Sequence, residues 1–127
     1  MNKTIINTPS APAPIGPYSQ AVLFDDTLYT SGQICLNPKT GELVMDNIAL
    51  ETKQVMANLQ AVLEAAQMNF DNVLKATIYI KNMDDFQEIN SIYGSFFNEE
   101  IAPARETVQV AKLPKDVNVE ISFLARK

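Results

Sequence analysis

The sequence contains no histidine and a single cysteine, Cys35, and these two scarcities remove most familiar catalytic machinery. Without imidazole there is no Ser-His-Asp triad, no Cys-His nucleophile pair and no metal site of the usual imidazole type. A structural zinc site needs several cysteines and is excluded as well, as is any internal disulfide. A lone thiol fits a reducing compartment. Long apolar runs are missing, so nothing reads as a bilayer span, and "MNKTIINTPS" carries no continuous apolar segment after its lysine, so no signal peptide is read there. The expectation is a cytoplasmic protein with no membrane partner. Basic charge is scarce too: 10 Lys and Arg stand against 15 Asp and Glu, a net charge of −5, with no dense cationic cluster. Nucleic acid is therefore not expected as a partner. Chemistry must run on Arg, Lys, carboxylates, hydroxyls, Cys35, the backbone and water.

What is present suits one soluble domain spanning residues 1–127, with 46% apolar and 20% charged residues. The stretch "PSAPAPIGPYSQ" holds four prolines and a glycine, which predicts extended, irregular chain that is rigid for a loop. "AVLFDDTLYTSG" reads as a hairpin of strands Ala21 to Phe24 and Thr27 to Ser31 turning at Asp25-Asp26. "NPKTGEL" has the residues of an exposed turn. From about Ile48 to Met68, Val55, Leu59, Val62 and Ala66 recur every three or four positions, which predicts a long amphipathic helix. In "VLKATIYIKN" the period becomes two, with Ala76, Ile78 and Ile80 facing one way, so this is a strand. Asn82 and Asp85 suit a helix start, and Phe86, Ile89, Tyr93, Phe96 and Phe97 step along a second helix.

The closing segment "PARETVQVAKLPKDVNVEI" reads as two strands about the turn "KLPKD". Val108 and Val110 share one parity, Arg105, Thr107 and Gln109 the other. Val119, Ile121, Phe123 and Ala125 then alternate with Asn118, Glu120 and Ser122. Taken as adjacent antiparallel strands with their apolar sets on one face, they put Arg105, Thr107, Gln109, Asn118, Glu120 and Ser122 together on the other. The element order predicts an α+β sandwich, a mixed sheet with both helices on its apolar face. The opposite face, left uncovered by two helices, suits burial against a symmetry mate.

"GPYSQ", "SGQI", "NPKTGE" and "PARETVQVAKLPKDVNVEI", in this order and spacing, resemble the RidA family of imine/enamine deaminases, also called the YjgF family. The likeness covers essentially the whole chain. It implies a chorismate-mutase-like fold, a homotrimer, and active sites in clefts between neighbouring subunits. It also implies hydrolysis of reactive 2-enamino and 2-imino acids, such as 2-aminoacrylate, 2-iminopropanoate and 2-iminobutanoate, to 2-oxo acids and ammonia, with no cofactor or metal.

Residue by residue, the resemblance makes Arg105 the clamp for the substrate carboxylate, a planar group that a guanidinium meets with paired donors. It makes Glu120 the group that orients water and moves a proton. Their plain alternatives are a solvated strand-end arginine and a cross-strand salt-bridge partner. Tyr18, Ser31, Gly32 and Asn90 match the rest of the family's pocket, although each has an ordinary reading as a packed loop ring, a turn hydroxyl, a strand-end glycine and a solvent-facing amide. Thr107 departs from the family pattern, because many members have cysteine there. An unassisted threonine hydroxyl is a poor nucleophile, so a nucleophilic role at this position is not expected. Cys35 lies in another segment and reads as a small buried residue. A second function is consistent with the same clamp: a non-catalytic, ligand-sensing regulatory trimer that binds 2-oxo acids or related small carboxylates.

Overall fold

The computed structural model describes residues 2–127. Its six strands are β1 (Lys3–Ile6), β2 (Ala21–Phe24), β3 (Thr27–Thr30), β4 (Val73–Ile80), β5 (Ala104–Gln109) and β6 (Val119–Arg126), and its two α-helices are α1 (Ile48–Ala65) and α2 (Phe86–Gly94). The strands form one mixed sheet in the order β1-β2-β3-β6-β4-β5. All neighbouring pairs are antiparallel except β4 and β5, which are parallel. The α+β architecture expected from the sequence is therefore present. No helix among the described residues is long and apolar enough to cross a membrane.

Period-two alternation decides which face is buried. Ala76, Ile78 and Ile80 of β4 stand opposite Phe123, Ile121 and Val119 of β6, and all six are buried. Against them pack Val55, Met56, Leu59, Val62 and Leu63 of α1, with Ile89 and Tyr93 of α2. Asn47 caps α1, its side chain accepting from Leu50 N at 2.8 Å, a contact worth about 1 kcal/mol. The other sheet face has no helix over it. Tyr29 and Val108 remain 52% and 43% exposed there, on the same side as Tyr79 and Glu120 by register.

Several expectations are corrected. The last two strands are not a hairpin, because β4 lies between them and pairs with each. The register sets Arg105 and Thr107 opposite Ala76 and Ile78, on the helix-covered side, while Glu120 stands opposite Tyr79 on the uncovered side. Arg105 and Glu120 are thus on opposite faces. Alternation fixes parity within a strand but not which parity points inward, and β5 is an edge strand whose residues are all exposed or only half-buried.

Strand β1 adds to the elements the sequence predicts, its four residues being too short a run to show an alternation. The first helix stops at Ala65 rather than Met68, closed by Gln67 N to Glu64 O and Met68 N to Leu63 O, both 2.9 Å. Gln67 takes the left-handed conformation there (φ 61°) that glycine usually supplies. The second helix is shorter than expected as well. Met83–Asp85 forms a separate 3-10 turn capped by Asn82, and Phe96 and Phe97 lie beyond Gly94.

Candidate active site

Six of the seven sequence-matched residues line two cavities rather than one, and Thr107 lines neither. The first, of about 510 Å3, is lined by Tyr18, Ser31, Gly32 and Glu120 together with Ile15, Ile34 and Leu36. Its floor follows from a change of register: β3 pairs with β6 only at Thr27, Leu28 and Tyr29, and an isolated bridge then joins Gln33 to Ile121. Gly32 sits between these two registers. A Cβ on Gly32 would lie 2.6 Å from Glu120 Oε2 and 2.8 Å from its Cδ, so only glycine lets the carboxylate lie against this backbone. Half-burial raises the Glu120 pKa above the ordinary glutamate value by desolvation. Ser31 is fixed by donating its hydroxyl to Ser19 O and its N–H to Gln20 O. Tyr18 stands 52% exposed at the cavity rim.

The second cavity, of about 490 Å3, is lined by Asn90, Tyr93, Phe97 and Arg105 among others. Beside it α2 presents Phe86, Asn90 and Tyr93, at spacings of four and three, so they share one helix face. Arg105 donates to Asn90 Oδ1, and its guanidinium carbon lies 5.6 Å from the Phe86 ring centre and 5.2 Å from that of Tyr93. The Tyr93 hydroxyl is pushed up to about 12, chiefly by burial, so it stays protonated. Asn90 is thus not idly solvated, and Arg105 is not a free strand-end charge. Thr107 shares Arg105's sheet face, and its buried hydroxyl has no hydrogen-bond partner among the described residues.

The aromatic cradle makes a prediction. Cation–π contacts are worth about 0.5–2 kcal/mol, rising with desolvation, so Tyr93→Leu is expected to weaken binding of a small carboxylate about fivefold. Tyr93→Phe, which keeps the ring, should stay close to wild type. Calorimetric titration with a 2-oxo acid reads both, and equal losses in the two variants would remove the ring from the account.

Sequence reasoning read Phe86 and Tyr93 only as helix positions, and it missed three buried polar residues that brace the first cavity. Gln20 ties down the proline-rich loop, donating from Nε2 to Thr8 O, Ala11 O and Pro12 O at 3.0, 3.2 and 2.8 Å. Asn58 donates to Ile34 O and Leu36 O at 3.0 and 2.9 Å, fixing the segment after Gly32. Glu51 accepts from the chain just before Glu120. A signal existed for two of them: Glu51 and Asn58 occupy the stripe of Val55, Leu59 and Val62, where a polar residue demands a partner.

Cys35 is buried, and its thiol is raised to about 11 by burial first and by the Glu51 charge second, so it has no thiolate character near neutrality. Among the described residues, no group of three or more His, Cys, Asp or Glu is placed to hold a metal ion.

Comparison with known proteins identifies the family. A family model described as Endoribonuclease L-PSP matches residues 8–127. A RutC family protein of Synechocystis is 48% identical over 126 residues, covering 98% of this chain and 97% of the relative. A protein of Escherichia coli named 2-iminobutanoate/2-iminopropanoate deaminase is 46% identical over 127 residues, covering 98% of each. The crystal structure of the YjgF gene product of Escherichia coli superposes with a TM-score of 0.91 at 43% identity, covering 98% of each chain. With motifs, fold and full-length similarity in agreement, the chain belongs to the Endoribonuclease L-PSP family, the RidA (YjgF) family that its sequence resembles.

Proposed function

We propose that the protein is a cofactor-independent deaminase, hydrolysing 2-enamino and 2-imino acids to 2-oxo acids and ammonia in sites that neighbouring subunits of a homotrimer build jointly. One observation carries this reading: the carboxylate and the guanidinium lie on opposite faces of one sheet, each at its own cavity. Strands β5 and β6 are separated by β4, so their backbones are roughly 10 Å apart before the opposite directions of the side chains are counted. A single chain cannot close the two on one small substrate. A second copy can supply Arg105 to the Glu120 cavity, and the uncovered face with Tyr29 and Val108 offers apolar surface to bury. The similarity to a protein named for this activity supports the chemistry.

In the shared cleft Arg105 holds the substrate carboxylate, with Asn90, Phe86 and Tyr93 fixing the guanidinium. An enamine first tautomerises to its imine. Ionised Glu120 takes a proton from water as the oxygen bonds to C2, and the C=N π electrons become a nitrogen lone pair. Protonated Glu120 then returns the proton to that nitrogen of the tetrahedral carbinolamine. Glu120, ionised again, takes the hydroxyl proton and delivers it to the same nitrogen as the C–N bond breaks, so that ammonia leaves and the C2–O bond becomes the carbonyl of the 2-oxo acid. A raised pKa suits a residue that both takes and returns a proton. Tyr18, Ser31, Gly32 and Thr107 shape the pocket. The ribonuclease activity in the family's description is disfavoured for this chain, because a net charge of −5 opposes a phosphate backbone.

The test is the rate of 2-iminopropanoate hydrolysis, the imine generated in place by a serine dehydratase. Wild type should accelerate it, and Arg105→Ala and Glu120→Gln should each erase the acceleration. No acceleration by wild type, with a 2-oxo acid still bound, would transfer the site to ligand sensing. The acid limb of the pH profile should lie above the ordinary glutamate range.

Stability follows a definite sign. A carboxyl whose folded pKa is raised binds its proton more tightly folded than unfolded, so stability falls as pH rises through the interval between the two values. Glu120→Gln removes that loss. The variant is therefore expected to melt above wild type at neutral pH, with the gap closing as pH falls through that interval to the ordinary glutamate value.

A further inference from the structure

We propose that Glu51 is the positioning residue for Glu120: it anchors the first residues of β6 and so holds the Glu120 carboxylate against Gly32. The inference rests on the deaminase reading and extends it to a residue that touches no substrate.

The backbone of β6 shows why an anchor is needed. On the β3 side, Ile121 is satisfied by Gln33, with Gln33 N to Ile121 O at 2.8 Å and Ile121 N to Gln33 O at 3.1 Å. The next N–H on that side, two residues earlier, belongs to Val119, and the β3 ladder does not reach it. Glu51 replaces the absent strand: its Oε2 accepts from Val119 N at 3.2 Å and from Asn118 N at 2.8 Å, while Oε1 accepts from Asn118 Nδ2 at 2.8 Å. The side chain is fully buried. Three N–H donors stabilise a buried carboxylate that would otherwise carry a large desolvation cost, and no salt bridge to Glu51 occurs among the described residues.

The anchored atoms immediately precede Glu120. Its carboxylate lies so close to Gly32 that a single carbon would collide with it, so a small displacement of the β6 start changes where it points. Glu51 projects from the first turn of α1, the same helix whose Asn58 fixes Ile34 and Leu36. One rigid helix therefore sets the two chain segments that flank the carboxylate. Arg105 is held separately, by α2. Loss of Glu51 should thus damage the proton-moving half of the site and spare the carboxylate-binding half.

The experiment measures kcat, KM, 2-oxo acid affinity and Tm for the intact oligomer of wild type, Glu51→Ala, Glu51→Gln and Asn118→Ala. Glu51→Ala is expected to lower kcat at least tenfold, the scale of a sub-ångström to 1 Å misplacement, with KM and 2-oxo acid affinity within about twofold. Glu51→Gln should recover most of kcat, because its oxygen can accept from both backbone N–H groups and its amide can donate to Asn118 after that side chain flips. Asn118→Ala, which removes one bond of three, should fall between them, and it decides the matter if Glu51→Ala does not fold. A folded Glu51→Ala with wild-type kcat, or losses of kcat and affinity that merely track the unfolded fraction, would overturn the proposal. Absence of hydrolysis in wild type would instead overturn the deaminase reading.

Discussion

Arg105→Ala protein and Glu120→Gln protein, each inactive alone, are expected to recover about a quarter of the wild-type rate when their subunits are exchanged in equal amounts. The two residues occupy opposite faces of the sheet, and in the proposed shared site each complete centre would draw its guanidinium from one chain and its carboxylate from a neighbour. In a randomly mixed ring, a site is intact when the chain lending Arg105 carries only the Glu120 lesion and its neighbour only the Arg105 lesion. Each condition holds half the time, giving about one site in four. Sites built within one chain would recover nothing, because every chain carries a lesion. A second mixture sharpens the distinction. Wild type exchanged equally with the double variant should retain about a quarter of its sites if they are shared and about half if they are not. The measurement is imine hydrolysis after joint refolding, with oligomeric state checked in parallel. Zero recovery in the first mixture, from oligomers shown to have exchanged, would mean that the shared-site model is wrong.

The sequence made the elements legible wherever one face is buried. Val55, Leu59 and Val62 repeat at helical spacing because α1 lies on the sheet, and Ala76, Ile78 and Ile80 alternate because β4 is central. Legibility failed where burial does not impose a pattern. Strand β5 lies at the sheet edge, and its Val108, which looks like a core position, is 43% exposed. The same strand set the expected face of Arg105, so the error reached the site. Motif likeness picked out Arg105 and Glu120 as residues but carried no information about which strand would lie between them. Glu51 escaped notice for another reason. A glutamate in an amphipathic helix is ordinarily a solvated residue, and the partners that justify its burial, Asn118 and Val119, are 67 and 68 positions away.

Gly32→Ala is expected to lower kcat about a hundredfold while leaving the fold intact, on the scale of a 1 Å misplacement of a reacting group. The backbone of Gly32 is not in the left-handed region that penalises side chains, so alanine is conformationally acceptable there. The conflict is with Glu120 alone: the new methyl would meet Oε2 at 2.6 Å, Cδ at 2.8 Å and Cγ at 3.0 Å. These atoms form the far end of a flexible side chain, so the carboxylate gives way and the backbone does not. The cost therefore falls on catalysis and not on folding. Affinity for a 2-oxo acid should change little, because Arg105 is held by Asn90, Phe86 and Tyr93, none of which Gly32 positions. A second substitution tests the cause. Glu120→Asp withdraws the carboxylate by one methylene, about 1.5 Å, which is poor in the wild-type pocket but relieves the clash with Ala at position 32. Gly32→Ala combined with Glu120→Asp should then lose much less than the product of the two single effects, since residues in contact do not act additively. Strict additivity of the two would mean that Gly32 serves something other than the seat of the Glu120 carboxylate.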